Sequence, residues 1–251
     1  MASLIKKPFF MWRTACLILF FLVSSVALAE AEGFPWLSSL ELGDQVKQSG
    51  ARLIDLPLGL HALEEVSDEN NRIVIGVHGW RSEGYEWVYP LLTMDSDRTT
   101  TYFFRWDFNE CPIKSGRILL TEIQSALETH PNTETIVIVG HSLGGILLAS
   151  VADEFTLAVK TEIHLVASPL ASIESEACAE QALPERSFAS RDIFEWRTQH
   201  ALDNAFNRLD EDPQNVEIPG SLVVRLPDTY NGRRLGHNWS ISWVAEKLVD
   251  E

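Results

Sequence analysis

Basic residues are scarce in this 251-residue chain: Lys and Arg total 20 against 36 Asp and Glu, a formal charge of −16. A nucleic-acid binder needs a positive footprint, and no basic cluster occurs after the first thirteen residues, so the composition argues against a nucleic-acid partner. The same balance disfavours adhesion to anionic membrane surfaces. Cysteine is sparse too, with three in all: Cys16, Cys111 and Cys178. No close-spaced His or Cys pair of the kind that ligates zinc is found, and a scattered set of His78, His200, His237 and Asp203 has no motif behind it, so neither metal nor cofactor is expected. Internal repeats, low-complexity tracts and long linkers are missing as well. A single domain is expected over residues 30–251.

What the chain does have is a large apolar share, 45% against 22% charged, enough for a sizeable core and too little charge for disorder. Its first segment reads as a secretory leader over residues 1–29. Lys6, Lys7 and Arg13 precede Ala15–Leu28, in which twelve of fourteen residues are apolar, and Ala27-Leu28-Ala29 supplies a small-x-small cleavage pattern before Glu30. The apolar stretch is shorter than the roughly 20 residues a membrane span requires, so no stable span is expected after cleavage and the protein is read as exported, periplasmic or secreted. Removal of the leader leaves 17 basic against 36 acidic residues, a net of −19 over 222 residues. Cys16 is then lost as leader filling, and Cys111 and Cys178 are available for one disulfide in an oxidising compartment.

Strand and helix patterns alternate through the mature chain. Arg72–Val77 and Thr135–Val139 are short, nearly continuous β-branched runs of the kind buried in parallel sheets. Thr99–Trp106, Ile163–Ala167, Asp192–Trp196 and Leu222–Leu226 are further strand candidates, with an early one near Ala51–Leu56. Ile113–Glu128, Ile146–Val159 and Trp239–Val249 read as helices. The alternation places the chain in the α/β class, with a mostly parallel sheet covered on both faces. The short stretch between Pro169 and Asp192 leaves room for a small cap or none, hence a shallow, accessible cleft.

The sharpest motif is Gly140-His141-Ser142-Leu143-Gly144, a G-x-S-x-G string that follows TIVIV and precedes an apolar helical run. A serine at such a strand-to-helix turn is held in a strained backbone, flanked by glycines because a side chain there would strike neighbouring backbone. The following helix N-terminus offers unsatisfied amides to developing negative charge. Upstream, His78-Gly79-Trp80 ends the Arg72–Val77 strand, where a loop amide can join an oxyanion hole; the Trp80 and Leu143 amides are the expected donors. His78 is read as organising that loop.

The two motifs, Val77-His78-Gly79-Trp80 and Gly140-His141-Ser142-Leu143-Gly144-Gly145, resemble those of the α/β-hydrolase fold family, more narrowly its lipase-like and esterase-like members. The resemblance extends over most of residues 72–250 by element order, and only these two motifs are specific. It implies a serine nucleophile, then an acid, then a histidine in chain order, with ester, thioester or amide bonds as substrates. Ser142 is the nucleophile on this reading. His237, in the loop before the last helix, occupies the family histidine's place, with His200 as its rival; His141 is expected to point elsewhere. Asp203, after the Asp192–Trp196 strand, is the favoured acid, but Asp192, Asp210, Asp212 and Asp228 stay open because no short motif marks the acid. Trp80, Tyr85, Trp87 and Tyr89 are candidates to line an apolar acyl pocket, although Trp87 and Leu91 fit core positions better. The expected activity is hydrolysis of carboxylic esters, on a small-molecule or lipid substrate. A thioesterase, an amidase or peptidase of the same fold, or a non-catalytic secreted binding protein with an idle site are the alternatives.

Overall fold

The β-branched runs become strands of one twisted sheet. In the computed structural model, which describes residues 33–173, 178, 182–184 and 191–249, that sheet contains β1 (Gly59–Ala62), β2 (Arg72–Val77), β3 (Thr99–Arg105), β4 (Thr135–His141), β5 (Lys160–Val166), β6 (Arg191–Arg197) and β7 (Leu222–Arg225). The expected leader at residues 1–29 and most of the acidic stretch 172–184 fall outside the described residues. The spatial order is β1-β3-β2-β4-β5-β6-β7; β1 is antiparallel to β3 and every other neighbour is parallel. A separate hairpin joins β8 (Thr229–Tyr230) to β9 (Arg233–Arg234).

Five helices matter to the site: α1 (Val46–Ile54), α2 (Tyr85–Met94), α3 (Pro112–Thr129), α4 (Leu143–Ser150) and α5 (Trp239–Lys247). Parallel neighbours need crossover connections, and these put helices on both faces of the sheet. α2 packs against α1 and α5, while α3 packs against α4. The central strands are therefore buried on both sides: Ile73, Ile75, Ile136, Ile138 and Ile163 lie in one apolar cluster with Leu147, Leu148 and Phe155. Residues Pro35–Glu251 pack as one compact unit. None of the described helices is long and apolar enough to cross a membrane.

Two expectations are corrected. The early strand at Ala51–Leu56 is instead the second half of α1, because Ser49, Gly50 and Leu53 repeat at helical spacing on its buried face. The edge strand comes later, at Gly59–Ala62. The helix expected over Ile146–Val159 stops at Ser150 and gives way to a tight turn, Ala152–Glu154. Val151, Ala152 and Phe155 are nonetheless fully buried, so the continuous apolar run there reports burial rather than helix. Helix α2 was not legible, since Pro90 lies within it and gives up one backbone donor.

Cys111 and Cys178 form a disulfide with their Cα atoms 5.6 Å apart, tying the start of α3 to a residue 67 positions away.

Candidate active site

Ser142 sits where β4 turns into α4, with φ 54° and ψ −118°, a backbone state that L-residues seldom adopt. The flanking glycines are required by space. A Cβ on Gly140 would lie 2.6 Å from the Gly144 carbonyl oxygen, and one on Gly144 would lie 2.3 Å from the carbonyl oxygen of Val77. The Ser142 amide is tied to the neighbouring strand by donating to the Val166 carbonyl at 2.8 Å. Leu143 opens α4, so its amide belongs to the first helical turn and has no acceptor within the helix.

His237 lies two residues before α5, and its Nδ1–H donates to Asp203 Oδ2 at 3.0 Å. That bond leaves Nε2 with the free lone pair of the ring. Asp203 follows the short turn His200–Leu202 after β6 and is completely buried. Its carboxylate also accepts from the Thr198 hydroxyl at 2.5 Å and from the Ala205 amide at 2.8 Å. Two contacts steer the imidazole further. Phe206 meets it edge-on at 4.9 Å between ring centroids, and the His237 carbonyl accepts from Ser240 Oγ at 2.5 Å.

His141 does not point away from this group, contrary to expectation. Its ring lies 4.6 Å from that of His237, and its Nε2–H donates to the His237 carbonyl at 3.2 Å. Burial, reinforced by the charge His237 carries when protonated, holds His141 well below the usual imidazole range, so it is neutral. A histidine next to the serine in sequence thus reaches a loop almost a hundred residues away, which no local pattern could reveal.

The loop after β2 passes directly over the serine. A Cβ on Gly79 would lie 3.0 Å from Ser142 Cβ and 2.9 Å from the His141 carbonyl oxygen. His78 holds that loop in place. Its Nδ1–H donates to the Gly79 carbonyl at 2.9 Å, and its Nε2 accepts from the Trp106 amide at 3.3 Å and from Arg105 at 3.2 Å. Burial is the main cause of its pKa falling to about 4. Trp80 is exposed on this loop, 57% accessible, with the Arg81 guanidinium 4.4 Å from its ring centroid.

Ser142, His237, Gly79, Trp80 and His141 line one cleft of about 200 Å³. A second cavity of about 340 Å³ adjoins it, lined by Tyr85, Tyr89, Tyr230 and Trp239 among others. Tyr85, Glu86 and Asn238 belong to both walls. Of the four aromatic residues considered for an acyl pocket, Tyr85 and Tyr89 line the second cavity, Trp80 borders the cleft, and Trp87 is core, as is Leu91. Tyr230 and Trp239 join from the far end of the chain.

The rival residues go elsewhere. His200 bonds the Phe206 carbonyl at 2.8 Å, and Asp212 pairs with Arg225 at 2.9 Å. His130 is buried at the end of α3 against the Tyr102 hydroxyl at 2.5 Å. His164 is buried in β5, accepting from Trp196 Nε1 at 3.0 Å.

The sequence matches no protein-family model and no curated protein. Solved structures do match. A candidate thioesterase from Silicibacter sp. aligns over 86% of this chain and 90% of its own, with a TM-score of 0.53 at 16% identity. Est1E from Butyrivibrio proteoclasticus aligns over 72% of this chain and 87% of its own, with a TM-score of 0.50 at 13% identity. At such identities the likeness is one of fold. The chain has the α/β-hydrolase fold. On that fold, Ser142 stands at the carboxyl end of β4, Asp203 beyond the carboxyl end of β6 and His237 before α5, so three loops far apart in sequence meet at one edge of the sheet.

Proposed function

We propose that this α/β-hydrolase-fold protein is a serine hydrolase acting on carboxylic esters, with Ser142 as nucleophile, His237 as general base and acid, and Asp203 as the residue that orients the imidazole. The observation that carries this reading is the sharing of one cleft by Ser142, on its left-handed turn, and His237, whose Nδ1–H is committed to a buried carboxylate. A surface serine or a core histidine needs neither feature.

The steps follow from those positions. Ser142 Oγ forms a bond to the ester carbonyl carbon while its proton passes to His237 Nε2. The negative charge moves to the carbonyl oxygen, where the Trp80 and Leu143 amides receive it; one such donor is worth roughly 3 kcal/mol of transition-state stabilisation. The C–O bond to the alcohol then breaks, and the alcohol departs with the proton from His237. Water repeats the sequence on the acyl-serine and releases the carboxylic acid. Asp203 stabilises the imidazolium present between the two proton transfers without itself taking a proton.

The Cys111–Cys178 disulfide supports the proposal that residues 1–29 are a leader and that the mature protein works in an oxidising compartment outside the cytoplasm.

Covalent labelling by a fluorophosphonate, read by mass spectrometry, tests the core of the reading. The mature wild-type chain is expected to label at Ser142 and to hydrolyse simple esters. Ser142→Ala is expected to lose both while melting at the same temperature. Continued ester hydrolysis by folded Ser142→Ala refutes the assignment. The same panel, extended to thioesters and amides, separates the ester reading from its neighbours.

A further inference from the structure

The cavity beside the Ser142 cleft is walled in an unusual way for a surface recess. Four aromatic side chains line it, and they come from three separate elements: Tyr85 and Tyr89 from α2, Tyr230 from β8 and Trp239 from the first turn of α5. The Tyr89 and Tyr230 hydroxyls are both spent on the same carboxylate oxygen of Glu246, the Tyr89 bond measuring 2.6 Å. The Tyr85 hydroxyl accepts from Asn238 Nδ2 at 3.2 Å. With those hydroxyls engaged, the tyrosines offer ring surface to an occupant. Tyr230 and Trp239 stand at 70° to each other with centroids 5.6 Å apart, making two walls that meet at an angle.

This recess shares a wall with the cleft. Asn238, next in sequence to His237, lines both, as do Tyr85 and Glu86 from the opposite side. The aromatic recess therefore lies beside the place where a carbonyl would meet Ser142, with Tyr85, Glu86 and Asn238 between the two. Size limits what fits. At about 340 Å³ the recess lies near the lower end of the roughly 300–1,000 Å³ range of small-molecule pockets. Ring faces stack best on flat partners.

We infer that the Tyr85, Tyr89, Tyr230 and Trp239 recess is the specificity subsite of this enzyme and that it takes a compact, ring-sized apolar group in preference to a long acyl chain. The inference rests on the hydrolase reading above and goes further by naming the substrate class: small esters with an aromatic or similarly flat substituent close to the scissile bond. The shared chemistry is the ring. It can be carried by the acid or by the alcohol of the ester.

Four substrates decide the matter: methyl 3-phenylpropanoate, with the ring on the acid side; 2-phenylethyl acetate, with the ring on the alcohol side; ethyl acetate; and methyl palmitate. The wild-type mature protein is expected to hydrolyse one ring-bearing ester with kcat/KM at least about tenfold above both ethyl acetate and methyl palmitate. The identity of the better ring ester assigns the recess to acid or alcohol. Ser242 borders the recess, and Ser242→Phe is expected to fill it, lowering the ratio of ring ester to ethyl acetate about tenfold. Trp239→Ala, which removes one wall, is expected to lower the same ratio by raising KM. Two variants acting in opposite ways on volume keep the test valid if one fails to fold. Preference for methyl palmitate, or a ratio unmoved in both folded variants, overturns the subsite while leaving the hydrolase reading intact. Absence of any hydrolysis together with absence of fluorophosphonate labelling overturns both.

Discussion

Asp203, the acid of the proposed triad, shows how little a buried carboxylate need announce itself. It is one of 36 acidic residues, has no motif around it, and in sequence looks like a solvated acid near a helix. In the fold it is wholly buried, and three donors converge on it from Thr198, Ala205 and His237. A buried carboxylate survives only when its lone pairs are matched in this way. Replacing it by Asn keeps the shape but offers His237 an ambiguous partner, which favours the wrong imidazole tautomer. Asp203→Asn is expected to lower kcat by about 10³ to 10⁴ with little change in KM, measured by steady-state hydrolysis of the best ester. A variant retaining most of its rate would remove Asp203 from the acid's role.

Among the elements, the loop joining β2 to α2 depends on a single neutral histidine. His78 donates to its own loop through Nδ1 and accepts from the Trp106 amide at the end of β3 through Nε2. Protonation would turn the acceptor into a donor facing an N–H and the Arg105 guanidinium. The folded value of about 4 lies below the ordinary 6.5, so the unfolded chain takes up the proton first. This contribution is complete above about pH 6.5 and declines as the pH falls toward 4. From pH 7.5 to pH 5 it amounts to about 2 kcal/mol. Urea unfolding at those two pH values is expected to show wild type losing about that much more stability than His78→Asn. Identical losses would mean that His78 is not held neutral. The elbow between β4 and α4 was legible because its constraint is local: Gly140 and Gly144 flank the serine by backbone necessity. α2, which was not anticipated, tolerates Pro90 within it because tertiary packing on α1 and α5 supports the helix.

Taken as a whole, the molecule is fastened at one further point, the disulfide between Cys111 and Cys178. Closing a loop of 67 residues restricts the unfolded chain far more than the folded one. The loss on removing such a link is about 2–4 kcal/mol. Thermal melts of residues 30–251 with and without reductant, and of Cys111→Ser/Cys178→Ser, are expected to show a matching fall in Tm. The cross-link joins the start of α3 to the segment beyond β5, not the Ser142 turn, so ester hydrolysis at room temperature is expected to persist. An unchanged Tm would mean that the folded state does not depend on the bond. The acidic surface belongs to the same scale: a net charge of −19 on the chain without residues 1–29 favours solubility and weakly repels anionic substrates.

Sequence alone determined the parts whose constraints are short-ranged. Buried parallel strands write themselves as continuous β-branched runs, and a serine on a strained turn needs glycines one strand-end away; both are legible within about ten residues. The common cleft of Ser142 and His237, the burial of Asp203 against His237, the reach of His141 to a distant loop, and the four-ring recess were decided only by tertiary structure. Each brings together residues separated by tens to more than a hundred positions, and the sheet order β2-β4-β5-β6, not any local pattern, sets which loop ends lie side by side.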